Sequence, residues 1–129
     1  MPLYTPNSTA LLTDQYELTM LASALTDGSA SRRCTFEVFT RGLRGHRYGV
    51  VAGVPRLLDA VARFQFGAEQ LAFLHRMLDA RTLDWLAGYQ FLGDIDGYPE
   101  GELYFPNSPV LTVTGSFAEA VLLETLGAP

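Results

Sequence analysis

The sequence predicts an α/β (α+β) domain in which helices pack on a small, mostly antiparallel sheet. Three observations predict it. A helical apolar stripe follows a capping pair at Asp14 and Glu17. Strand-like alternation of β-branched and aromatic residues runs through Cys34–Arg41 and Val110–Thr114. A Ser-x-x-Glu capping box at Ser116 opens a last helix. The 129 residues suit one domain, and 48% hydrophobic against 18% charged residues lets that domain bury a core.

Residues 1–10 are polar and Pro-bearing and read as an N-terminal arm, which leaves 11–129 as the domain. The first helix spans about residues 14–26. Asp14 is its N-cap, Leu18, Leu21, Ala22 and Leu25 are its buried stripe, and Asp27-Gly28 is its stop. The strand Cys34–Arg41 puts Cys34, Phe36 and Val38 on a core face and Glu37, Phe39 and Arg41 on a face suited to lining a site. Two glycines make Gly42–Arg47 a turn, and Tyr48–Gly53 reads as a buried strand closing a hairpin with the first.

Pro55 opens a second helix carrying Leu57, Leu58, Val61 and Phe64. Ala68–Leu78 and Asp79–Leu86 are two more helices, with Phe73, His75 and Trp85 expected in packing. Turns dominate from Gly93 to Gly101, followed by a strand at Glu102–Phe105. In the strand at Val110, Leu111 and Val113 face in and Thr112 and Thr114 face out. The last helix carries Phe117, Val121, Leu122 and Leu126 and ends at Gly127. Its apolar side implies that sequence continues beyond it or that another chain covers it.

Composition removes several functions. There is no lysine, which excludes a Walker-type phosphate loop, a Schiff-base nucleophile and a lipoyl or biotinyl carrier. One cysteine, Cys34, forbids an internal disulfide and fits a reducing cytoplasm. With His46 and His75 far apart, no metal site is expected. No apolar run approaches a membrane span, and the first residues lack the basic region and apolar core expected of a signal peptide.

The net charge of −5 is uneven. Residues 29–56 hold six arginines and Glu37, for +5, while the remainder holds three arginines and thirteen acids, for −10. That balance argues against nucleic acid. It suits a small anionic ligand gripped by guanidinium forks, or equally a solvated loop whose arginines pair with acids elsewhere. Asp14 and Tyr16 sit together at a helix mouth. They are either a cap with a boundary tyrosine or part of a pocket.

Three segments, taken in order and spacing, resemble the N-terminal region of nicotinate phosphoribosyltransferases. They are Leu12-Thr13-Asp14-Gln15-Tyr16-Glu17-Leu18-Thr19-Met20, Thr35–Arg41 with Ala52-Gly53, and Pro99–Glu102 through Phe105–Pro109 to Gly115 and Ala118–Thr125. The resemblance covers residues 11–126. It implies the α/β N-terminal domain of a type II phosphoribosyltransferase, joined in the family to an α/β barrel and dimeric with shared sites.

The activity implied is synthesis of nicotinate mononucleotide from nicotinate and phosphoribosyl pyrophosphate, coupled to hydrolysis of ATP with Mg, in NAD biosynthesis. Substrate-binding residues carried over are Asp14 and Tyr16, the tyrosine stacking on the pyridine ring, and Arg41 near the phosphates. No catalytic residue is expected in this chain, and no cofactor is expected to bind it alone. Leu43-Arg44 stands where the family has Leu-Pro, and neither His46 nor His75 matches the histidine that couples ATP. The chain is expected to end where the barrel begins and to be inactive by itself, associating with a barrel or with a second copy. The alternatives are a non-catalytic dimerisation or interaction module using the last helix, and a relative acting on nicotinamide or quinolinate.

Overall fold

Helix α1 (Gln15–Asp27) begins and ends where its sequence dictates. Asp14 caps it in a box with Glu17, and Gly28 closes it in the left-handed conformation, with φ 83°. The computed structural model describes residues 8–127. Among them, α2 (Val54–Ala62), α3 (Ala68–Leu74), α4 (Ala80–Ala87), α5 (Phe117–Val121) and α6 (Glu124–Gly127) complete the helices. The strands are β1 (Arg33–Val38), β2 (Gly49–Val50), β3 (Asp94–Gly97), β4 (Leu103–Tyr104) and β5 (Leu111–Ser116).

The main sheet has the order β1-β5-β3 and is antiparallel throughout, with Arg33 opposite Ser116 and Val38 opposite Leu111. Along β5, Leu111 and Val113 are buried under the helices, while Thr112 and Thr114 point to the other face. On that outer face the Thr35 and Thr114 hydroxyls meet across the strands at 3.1 Å. Leu21, Leu74, Leu86 and Leu122 are wholly buried in one core, each contributing about 1.5–3 kcal/mol relative to exposure. Phe64, Phe66 and Tyr89 add edge-to-face contacts at 5.2–6.0 Å.

Several expectations need correction. The strand after the basic turn does not form a hairpin with β1. β1 pairs with β5 instead, and β2 pairs with β4 in a separate two-stranded ribbon. The buried strand expected over Tyr48–Gly53 shrinks to Gly49–Val50, with Val50 53% exposed. The turn region from Gly93 contains β3, an edge strand that leans on β5 rather than on its own side chains. Phe73, expected in packing, is 64% exposed, and His75 is exposed beside it.

The last helix is two short ones, α5 and α6, broken at Leu122 and Leu123. Its apolar residues Ala118, Ala120, Val121, Leu122 and Leu123 are buried within the domain, where α5 packs on α1, β1 and β5. The interaction module therefore loses the exposed helix it relied on. Of the arm expected over 1–10, residues 1–7 lie outside the described residues. Ser8 and Thr9 are anchored by their hydroxyls to the carbonyls of Gln65 and Ala60, and Ala10 is fully buried.

Candidate functional site

The site grows from the first turn of α1. Glu17 points inward and is 0% exposed, yet it has no cation partner among the described residues. Hydrogen bonds satisfy it instead. Its carboxylate accepts from the Thr13 hydroxyl, from the Asp14 N–H at 3.3 Å and from the Thr125 hydroxyl at 2.6 Å. Thr125 also reaches Asp14 Oδ2 at 3.2 Å. One hydroxyl on α6 thus joins the two acids at the head of α1.

Asp14 and Tyr16, on either side of Gln15, face outward. Tyr16 is 48% exposed, and its phenol lies near Glu124, the residue before Thr125. The neighbouring Glu124 carboxylate first, then partial loss of hydration and the charges of Glu17 and Asp14, push its phenol up to about 12. Tyr16 therefore stays a neutral ring with its flank open.

Glu124 also lines a cleft of about 330 Å³. Its apolar walls come from Phe36, Phe39, Val113 and Leu123, and its polar groups are Glu37, Arg41 and Glu124. The cleft arises because β1 ends at Val38, so the chain leaves the sheet and carries Phe39 and Arg41 past the α6 end. Among the described residues Arg41 has no carboxylate within ion-pair distance. Its planar fork is available to an anionic oxygen. Apolar walls with one guanidinium and a nearby exposed aromatic suit a flat or anionic small molecule.

The structure brings Asp14, Tyr16 and Arg41 to one side of the domain, linked through Glu124 and Thr125. It does not gather the arginine window. Arg33 sits at the opposite end of β1, 3.9 Å from Asp94. Arg56 lines a second, larger and mainly apolar cleft of about 680 Å³ beside α2. Arg32, Arg44, His46 and Arg47 are exposed. Sequence reasoning missed Glu124 and Thr125 as site residues. Their one signal is a charged and a hydroxyl residue interrupting the apolar run Ala118–Leu126. The described residues contain no group of three or more His, Cys, Asp or Glu side chains that could hold a metal. No helix among them is long and apolar enough to cross a membrane.

Comparison with known proteins places this geometry. A family model described as the nicotinate phosphoribosyltransferase N-terminal domain matches residues 11–126. Nicotinate phosphoribosyltransferase pncB1 of Mycobacterium tuberculosis is 64% identical over 117 residues, covering 90% of this chain and 26% of the relative. The pncB2 protein of the same species is 37% identical over 119 residues, with the same coverage of 90% and 26%. A crystal structure of human nicotinic acid phosphoribosyltransferase superposes with a TM-score of 0.81 at 29% identity, over 90% of this chain and 24% of the human one. The chain spans about a quarter of the length of these relatives.

Proposed function

Because this chain belongs to the nicotinate phosphoribosyltransferase N-terminal domain family, we propose that it supplies one wall of the substrate site of such an enzyme. That enzyme makes nicotinate mononucleotide from nicotinate and phosphoribosyl pyrophosphate in cytoplasmic NAD synthesis, with ATP hydrolysis. The observation that carries the reading is the outward pair Asp14 and Tyr16, held beside the cleft that contains Arg41.

In this reading the open flank of Tyr16 stacks on the pyridine ring. Asp14 stands beside it as a fixed negative charge, and Arg41 meets phosphate or carboxylate oxygens with its fork. Transfer of a ribosyl group passes through an oxocarbenium-like state, for which placement and charge matter more than a protein nucleophile. This wall therefore needs no nucleophile of its own. The other wall, with the ATP chemistry, comes from a barrel domain or a second copy of the protein. The 129 residues alone make no product.

A chimera tests this. Residues 11–126 replace the matching segment of the Mycobacterium tuberculosis pncB1 relative, and nicotinate mononucleotide formation is followed. The chimera is expected to be active, the isolated chain inactive, and Tyr16→Ala in the chimera to lower kcat/KM about tenfold through lost stacking. Turnover by the isolated chain, or a Tyr16→Ala chimera as active as its parent, would refute the reading.

A further inference from the structure

At the head of α1 the buried acid and the exposed acid share one hydroxyl. Glu17 is wholly buried, and three donors fix its carboxylate: the Thr13 hydroxyl and the Asp14 N–H on one oxygen, the Thr125 hydroxyl on the other. At 2.6 Å the Thr125 contact has the length of a strong hydroxyl-to-carboxylate hydrogen bond, and burial of Glu17 keeps solvent from competing for it. The β-branch of Thr125 also restricts its χ1, so the hydroxyl oxygen is held in one place. Asp14 Oδ2 lies 3.2 Å from that same oxygen, from a position 111 residues earlier in the chain. One proton thus faces two carboxylates, with Glu17 the near partner and Asp14 the far one. An exposed aspartate at a helix start is otherwise free to change its χ1 rotamer. The shared proton favours the rotamer that keeps Oδ2 against Thr125.

We propose that Thr125 is a positioning residue: seated on the buried Glu17, its hydroxyl fixes the rotamer of the Asp14 carboxylate at the edge of the candidate site. The use of Asp14 beside a pyridine substrate rests on the function proposed above. The hold of Thr125 on Asp14 does not. Thr125 acts through Asp14 and makes no contact with the substrate itself. The hydroxyl, rather than the bulk of the side chain, is what Asp14 requires.

Two readouts separate these points. The first uses the 129-residue chain labelled with 13C,15N-aspartate, the Asp14 signals being assigned by their loss in Asp14→Asn. Their Hα–Hβ couplings report the Asp14 χ1. The parent shows one rotamer, Thr125→Val shows averaging among rotamers, and Thr125→Ser, which keeps the hydroxyl, shows the parent pattern. Thr125→Ala, which also lacks the hydroxyl and adds no bulk, takes the place of Thr125→Val if the latter does not fold. The second readout uses the chimera. Thr125→Val raises KM for nicotinate about three- to tenfold, the range expected for one lost hydrogen bond, with kcat changed by less than about twofold. Thr125→Ser restores most of the loss, and Thr125→Val adds nothing in an Asp14→Ala background.

Averaged Asp14 couplings in the parent chain overturn the proposal without any variant, and unchanged couplings in Thr125→Val overturn it as well. So does a KM increase of the same size in the Asp14→Ala background, because Thr125 would then act independently of that carboxylate. A parent chimera without activity defeats the substrate reading alone, since the couplings still decide whether Thr125 holds Asp14.

Discussion

The described residues form two sheets, and they are built on opposite terms. The β1-β5-β3 sheet pairs six residues of β1 with six of β5 and buries Leu111 and Val113 in the core on which α5 packs. The β2–β4 ribbon has two opposed pairs, Gly49 with Tyr104 and Val50 with Leu103, and leaves both Val50 and Leu103 more than half exposed. One sheet is held by its core. The other is held at its edges, by the Val51 N–H donating to the Glu102 carbonyl at 2.8 Å and by the Gly53 and Val54 N–H groups donating to the Glu100 carboxylate at 2.8 and 3.0 Å. The candidate site is fastened to the first sheet, through α1, α6 and the end of β1. Rigid elements place a site more accurately than loops do, so the lesson is that Asp14 and Tyr16 are set by the well-packed half, while Arg41 hangs on the chain just past the end of β1.

The sharpest way to break this contrast is to remove apolar volume from each half. Leu122→Ala empties a wholly buried position and should cost about 2–5 kcal/mol. Val50→Ala on the ribbon should cost less than about 0.5 kcal/mol. Urea denaturation of the two variants measures both, and similar losses would mean that the ribbon shares the core's cooperativity.

Glycines sharpen the comparison next. A Cβ at Gly93 would lie 2.1 Å from the Thr114 carbonyl oxygen, a backbone atom of the central strand that cannot step aside. Gly93→Ala should therefore cost about 1–3 kcal/mol. A Cβ at Gly49 would meet only the Tyr104 ring, at 2.5 Å, and that ring can swing outward. Gly49→Ala should cost under about 1 kcal/mol, again read from urea midpoints.

The smallest effect concerns acid. Partial burial pushes the Glu119 carboxyl up, but the Ser116 hydroxyl and the Leu92 and Ser116 N–H groups outweigh burial and hold it below the usual carboxylate range. A carboxyl lowered in the native state adds stability above its unfolded pKa and loses it as pH falls through the lowered native value. Unfolding midpoints measured from neutral pH downward should therefore fall less steeply in Glu119→Gln than in the parent. Parallel curves would show that the box contributes nothing through its charge.

Much of this arrangement is legible in the sequence, and the residues say why. α1 declares itself because Asp14, Glu17 and Gly28 act locally, within one turn of the helix ends. β5 is readable because it buries one face only, so Leu111 and Val113 alternate with threonines. β3 is not, since Asp94-Ile95-Asp96-Gly97 has little strand character of its own and borrows its conformation from β5. The hairpin expectation fails for a related reason. Adjacency in sequence favours pairing of neighbours, whereas β1 gains more by lying against a strand that already carries buried Leu111 and Val113.

The same divide runs through the candidate site. Asp14 and Tyr16 stand out because a capping motif is a local pattern. Thr125 matters through contacts with residues more than a hundred positions earlier, and Glu124 through a cleft it shares with residues of β1 and the loop after it. Glu17 looks like a surface acid and is wholly buried, because three hydrogen bonds replace the water it loses.

The central position of β5 sets a schedule for synthesis. Thr35 and Thr114, neighbours across the sheet, are separated by 79 residues of chain. While the ribosome is still making the intervening helices, β1 has no mate and β3 has nothing to lean on, so the sheet cannot begin to close. Its keystone is the last of its three strands to be translated. Folding must wait for that strand and bring together distant parts of the chain, which makes it slow for a domain of this size and leaves the nascent β1 edge open to unwanted pairing in the interval.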